Sequence, residues 1–121
     1  MLFNRRNQQQ NAPSPVTLDQ HAVTVEKILT SVGIDPGQAR MTEIDNGYGW
    51  SFRRGSALIE VYISEQDGRG YLQVLSPIMH LPGTTLLPIY RRLLELNMQL
   101  TNASLGVYFD VVYVFNERPL E

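Results

Sequence analysis

Any chemistry in this chain would have to come from two histidines, His21 and His80, the carboxylate pair Glu65-x-Asp67, and the run Gly47-Tyr48-Gly49. Neither histidine has a carboxylate at ligand spacing, and no His-x-x-x-His or calcium-loop pattern occurs, so no metal ligand set is indicated. With no cysteine, a disulfide framework, a thiolate metal site and a thiol nucleophile are all excluded. Gly47-Tyr48-Gly49 has no third glycine at the dinucleotide-binding offset and no helix to follow it. A glycine-rich lysine loop, which would cradle nucleotide phosphates, does not occur either. His80 precedes Leu81-Pro82-Gly83 at a strand end, where a base could stand, but a structural histidine fits the position better. Glu60 has no second carboxylate beside it for acid–base work. Catalytic, cofactor-binding and metal-binding residues are therefore all read as none, and the expectation is a protein that is not an enzyme.

The elements that would position a site centre on residues 56–82, SALIEVYISEQDGRGYLQVLSPIMHLP. Two alternating apolar runs flank Asp67-Gly68 and Gly70, glycine-rich chemistry suited to a tight reversal. Residues 56–64 and 71–80 thus read as the antiparallel strands of one hairpin. Ala57, Ile59, Val61 and Ile63 form one face, shared by Leu72, Val74 and Ile78. The other carries Leu58, Glu60 and Tyr62 beside Tyr71, Gln73, Leu75 and Met79, and is too apolar to be left simply to water. Pro77 cannot donate to a ladder, so it belongs at an edge or a bulge.

Upstream, Thr17-x-x-Gln20 is a capping-box pattern that opens a helix. Leu18, Ala22, Val25, Leu29 and Val32 place one stripe on it, Gly33 ends it, and Asp35-Pro36-Gly37 turns the chain away. Asn46-Gly47 suggests that a short strand over 40–44 pairs with 49–54, in which Trp50 and Phe52 face inward. Downstream, Thr84 or Thr85 caps a second helix, LLPIYRRLLELNMQL, with Pro88 in its first turn. Leu86, Ile89, Tyr90, Leu93, Asn97 and Leu100 form its main stripe, and Leu87, Leu94 and Met98 lie at the border. A helix apolar over more than half its circumference touches two bodies. The last segment reads as two strands hinged near Asp110 or as one long bent strand. The fold class is α+β, a twisted antiparallel sheet of 4–5 strands with helices packed against it. Residues 1–15, polar and broken by proline, read as a flexible tail, and 16–121 as one domain.

Ten basic against twelve acidic residues give a net charge of −2, which argues against general nucleic-acid affinity. Aromatics on a sheet (Tyr62, Tyr71, Tyr108, Tyr113) could stack RNA bases, but no basic-aromatic motif accompanies them. No apolar run approaches a membrane span, and the N-terminus lacks a secretory apolar region, so a cytoplasmic protein is expected.

The run Trp50-x-Phe52-x-x-Gly55-x-Ala57-x-Ile59-x-Val61, then Leu72-x-Val74-x-Ser76-Pro77 and Leu81-Pro82, resembles a YbjN-type domain of the cyanobacterial kind. Tyr90-Arg91-x-Leu93-Leu94-Glu95-Leu96-Asn97, Val112-Tyr113-Val114 and Arg118-Pro119-Leu120 extend the likeness over about residues 17–120. The resemblance implies a fold like the type III secretion chaperones, often dimeric, which bind extended polypeptide and carry no catalytic residues. It also implies a C-terminal helix beyond Arg118-Pro119-Leu120, whereas this sequence runs only to Glu121. Either that helix is absent or the chain was shortened, and an apolar sheet surface is then expected to be covered in some other way.

Function is accordingly expected to be that of a non-catalytic protein-binding module, chaperone-like or regulatory. The alternative is a small-molecule-binding or enzymatic domain with a pocket between sheet and helix. The expected partner is a second copy of the chain, as a homodimer, or another polypeptide, with neither nucleic acid nor membrane. The candidate interface residues are Leu58, Tyr62, Tyr71 and Leu75 on the sheet and Leu87, Leu94 and Met98 on the second helix.

Overall fold

The structure, a computed structural model, describes residues 17–42 and 44–120; the stretch 1–15, expected to be a flexible tail, lies outside them. Helix α1 (Leu18–Ser31) opens at the anticipated capping box, with Thr17 and Gln20 exchanging bonds at 2.9 and 3.2 Å. It ends at Gly33, whose φ of 86° is left-handed as expected. Asp35-Pro36-Gly37 does not simply turn away. The Asp35 side chain accepts from the Gly37 N–H and caps a one-turn helix α2 (Pro36–Ala39).

Five strands follow in one antiparallel sheet: β1 (Gly47–Arg54), β2 (Ala57–Gln66), β3 (Arg69–His80), β4 (Ser104–Tyr108) and β5 (Val111–Pro119), in spatial order β1-β2-β3-β5-β4. Helix α3 (Leu86–Asn97) connects β3 to β4. The protein is thus of the α+β class, with helices on an open antiparallel sheet.

The central hairpin turns at Asp67-Gly68 alone, both with positive φ (53° and 76°), the pattern of a two-residue reversal. Gly70 is not part of the turn. It lies within β3, where a Cβ would come to 3.1 Å from Leu120, so its role is close approach. Among the described residues, the strand expected over 40–44 shrinks to a single bridge between Arg40 and Trp50, with the Met41 N–H donating to Gly49 O at 2.8 Å. The chain turns at Asn46 (φ 57°) and enters β1 at Gly47.

One face of β1–β3 holds the core. Trp50 and Ile63 have no exposed surface, and they pack with Val61, Ala22, Leu29 and Ala39, flanked by Phe52, Ile59 and Leu72. Three β1 side chains on this face reach α1: Tyr48 donates to Asp19, Trp50 to Glu26, and Arg54 to the Val32 carbonyl at 2.7 Å. Val32 itself caps α1 and is exposed, so it drops out of the expected stripe.

A bulge between Pro77 and Met79 changes the end of β3. Pro77 has no N–H for β2, and the Ser76 hydroxyl donates to the Leu58 carbonyl instead, at 2.6 Å. The extra residue takes Ile78 out of the ladder, where it is exposed, and shifts Met79 to the face opposite its expected one, opposite Val112. Both expectations fail for the same reason, since one inserted residue inverts the alternation of everything after it.

Of the two final readings, a pair of strands is correct. Phe109-Asp110 forms the turn, with φ of 49° and 61°. Thr85 is the N-cap residue of α3, but in a left-handed conformation and with no side-chain hydrogen bond. The half-buried residues of α3 are Leu86, Ile89, Leu93, Leu96 and Asn97. Tyr90 and Leu100, expected on its main stripe, are exposed, and Leu96 takes the inward place. The helix ends at Asn97, so Leu100 lies beyond its last turn.

Candidate functional site

Strand register gathers four of the candidate residues on one surface. Glu60 pairs with Leu75, Tyr62 with Gln73 and Ser64 with Tyr71, so Leu58, Tyr62, Tyr71 and Leu75 share the face opposite Trp50. All four are half-buried. Continuing across β5, the same alternation adds Tyr113, Phe115 and Glu117 to this face. Helices α1 and α2 pack on the other side, with Trp50.

Polar groups on this face are paired laterally. Gln73 donates to Glu117 at 2.7 Å, and the Tyr62 hydroxyl donates to Glu60 at 3.1 Å. The Tyr62 phenol is pushed up to about 12, first by burial and then by the neighbouring Glu60 charge, its hydrogen bond and Tyr113. At neutral pH the phenol is therefore a donor, held neutral, and has no character of a base. The surface is a mixed apolar and aromatic sheet face with Glu60 and Glu117 as its acidic spots.

The other three candidates lie at α3, Leu87 and Leu94 on the helix and Met98 at its C-cap, and α3 packs at β4 on the far side of β5 from β3. They are 78%, 67% and 88% exposed, and no residue of α3 is buried outright. The seven residues thus form two surfaces, one on the sheet and one on the helix. Both sit on regular elements, which gives them fixed spacing.

Three further features escaped the sequence reading. Tyr108 and Phe109 stand exposed together at the β4–β5 turn, their ring centroids 4.4 Å apart. Glu26, Arg40, Tyr48 and Trp50 form one cluster: Arg40 lies 3.3 Å from Glu26 and places its guanidinium 4.7 Å from the Tyr48 ring centroid. That cluster joins α1 to β1 and leaves each charge opposite a partner, which makes it a structural clasp. Asn97, finally, bonds to both backbone groups of Leu105. Its only sequence signal was a polar residue on an apolar stripe.

His21 lies half-buried on α1 and His80 is exposed at the end of β3. No group of three or more metal-ligating side chains occurs among the described residues. A shallow, open groove of about 340 Å³ runs along α1, lined by Val23, Glu26, Lys27 and Thr30. These residues follow one another on a single helix and enclose no cavity between sheet and helix. No described helix is long and apolar enough to cross a membrane. In comparison with known proteins, the chain matches no family model and no curated sequence.

Proposed function

We propose that this chain is a non-catalytic protein-binding module of chaperone-like or regulatory use, working in the cytoplasm as a homodimer or around another polypeptide. The observation that carries the reading is the exposure of Leu87 and Leu94 on α3 and of Met98 at its C-cap, on a helix that buries none of its residues outright. Contiguous apolar surface of several hundred Å² on a small protein usually marks an interface. The YbjN-type resemblance and the chaperone-like arrangement it implies point the same way.

A second copy suits the spacing on α3. Leu87, Arg91, Leu94 and Met98 follow at steps of four, three and four, one stripe of a helix surface. In an antiparallel two-fold pairing, Leu87 meets Met98 of the other copy and Arg91 meets Leu94. Such a contact buries the same patch on both sides and closes after two subunits. The open sheet face, with Leu58, Tyr62, Tyr71 and Leu75, then remains for polypeptide. Glu60 and Glu117 on that face disfavour a phosphate backbone as its occupant.

Two charge substitutions test the reading. Leu94→Glu should convert a dimer to monomer if α3 forms the contact, and Tyr62→Glu should do so if the sheet face does. Association that survives both substitutions would contradict it.

A further inference from the structure

β4 is the last strand in the sheet order, and one of its edges has no neighbouring strand among the described residues. Leu105 pairs with Val114 on the inner side. Its N–H nonetheless donates to Asn97 Oδ1 at 2.7 Å, and its carbonyl accepts from Asn97 Nδ2 at 3.2 Å. An antiparallel residue sends both backbone groups to one side, so these two point outward, away from β5. A carboxamide is a peptide group carried on a side chain. Asn97 makes the same two bonds that a residue of an added antiparallel strand would make.

The opposite edge of the sheet is closed differently. There the Arg40–Trp50 bridge and the bond from Met41 to Gly49 lay main chain along β1. At β4, among the described residues, the outward backbone groups of Leu105 are met by one side chain, on the final residue of a helix with no buried residue. Val107, two positions along β4, has the same orientation as Leu105 and directs its backbone groups to the same edge. Its side chain is exposed, as is that of Tyr108 on the opposite face.

We infer that the outer edge of β4, at Leu105 and Val107, is an acceptor site for an extended polypeptide strand, occupied by the Asn97 carboxamide when no strand is bound. The inference rests on the protein-binding reading above and adds the mode of binding. Exchange of Asn97 for a peptide group conserves the bonds at Leu105. New bonds at Val107 and contacts with alternate side chains then favour the bound strand.

The test is an amide NMR titration of the full chain with a synthetic peptide of residues 111–119, the sequence that already pairs with β4 on its inner side. The Leu105 and Val107 amides should shift and gain protection from exchange. Asn97→Ala should tighten binding several-fold by removing the competitor, and Asn97→Asp, which keeps the acceptor and loses the donor, should fall between. Val107→Pro deletes an outward N–H and spares the bonds to β5, so it should abolish binding. If Val107→Pro unfolds, the exchange rate of the Leu105 amide in Asn97→Ala still decides, since it must rise without peptide and fall with it. Shifts confined to the sheet face or α3 would overturn the edge site and leave the protein-binding reading standing. Dimerisation of Asn97→Ala through β4 without peptide binding would overturn it in favour of a second copy. Silence at both amides in wild type and Asn97→Ala would overturn it outright.

Discussion

The indole Nε1 of Trp50, a side chain with no exposed surface, donates to Glu26 Oε2 at 3.1 Å across the interface between β1 and α1. The same carboxylate oxygen lies 3.3 Å from Arg40, so one acceptor orders the core tryptophan and the clasp above it. Trp50→Ala should cost about 3–5 kcal/mol, as for other buried aromatics. Glu26→Ala should cost about 1–3 kcal/mol by leaving the indole N–H without its acceptor. Urea unfolding measures both, and a near-neutral Trp50→Ala would contradict the assignment of Trp50 to the core.

The Tyr62 phenol should ionise late, at a pH of about 12. Its pKa is raised in the folded state, so the folded protein holds the proton more tightly than the unfolded chain. The stabilisation is complete below about 10, the ordinary tyrosine value, and is lost as pH rises from there through 12. A phenolate absorbance titration should show a late step that Tyr62→Phe removes. The step should move earlier in Glu60→Gln, where charge and hydrogen bonding to a carboxylate are both removed. A Tyr62 step at the ordinary value would contradict the burial and pairing described for this face.

Phe109, 82% exposed, holds a φ of 49° at the β4–β5 turn. A left-handed conformation costs a non-glycine residue about 1–2 kcal/mol, less for asparagine. Phe109→Asn should therefore stabilise the chain by up to about 1 kcal/mol, read from the urea midpoint at constant slope. A loss of stability would show that the ring contact with Tyr108 outweighs the backbone strain.

The features legible in the sequence were those decided locally. Thr17 and Gln20, Gly33, and Asp67-Gly68 each act through neighbours within a few positions, and each stands where expected. Trp50 was legible because alternation with polar residues marks a half-buried strand. What failed depended on distant or inserted residues. Alternation carried through Pro77 placed Met79 on the wrong face, because the sequence marks a bulge only as a proline and not as an added residue. Tyr90 and Leu100 were assigned inward by helical spacing, yet α3 ends at Asn97 and leans its Leu96 side inward instead. The second role of Asn97 could not be read at all, since Leu105 becomes its partner only when β4 folds back beside the helix. Residue types and spacing were enough to mark Leu87, Leu94 and Met98 as apolar side chains outside the main stripe, and all three are exposed. That they lie on a different surface from Tyr62 required the sheet order.

The central claim is that the exposed apolar surface of α3 and the sheet is a contact surface for protein. Sedimentation of the wild-type chain across the micromolar range tests it most directly. The mass should approach twice 13.8 kDa, fall to that of a single chain in Leu94→Glu, and remain there at every concentration of that variant. A wild-type chain that stays monomeric and soluble throughout, and binds no hydrophobic dye, would contradict the claim.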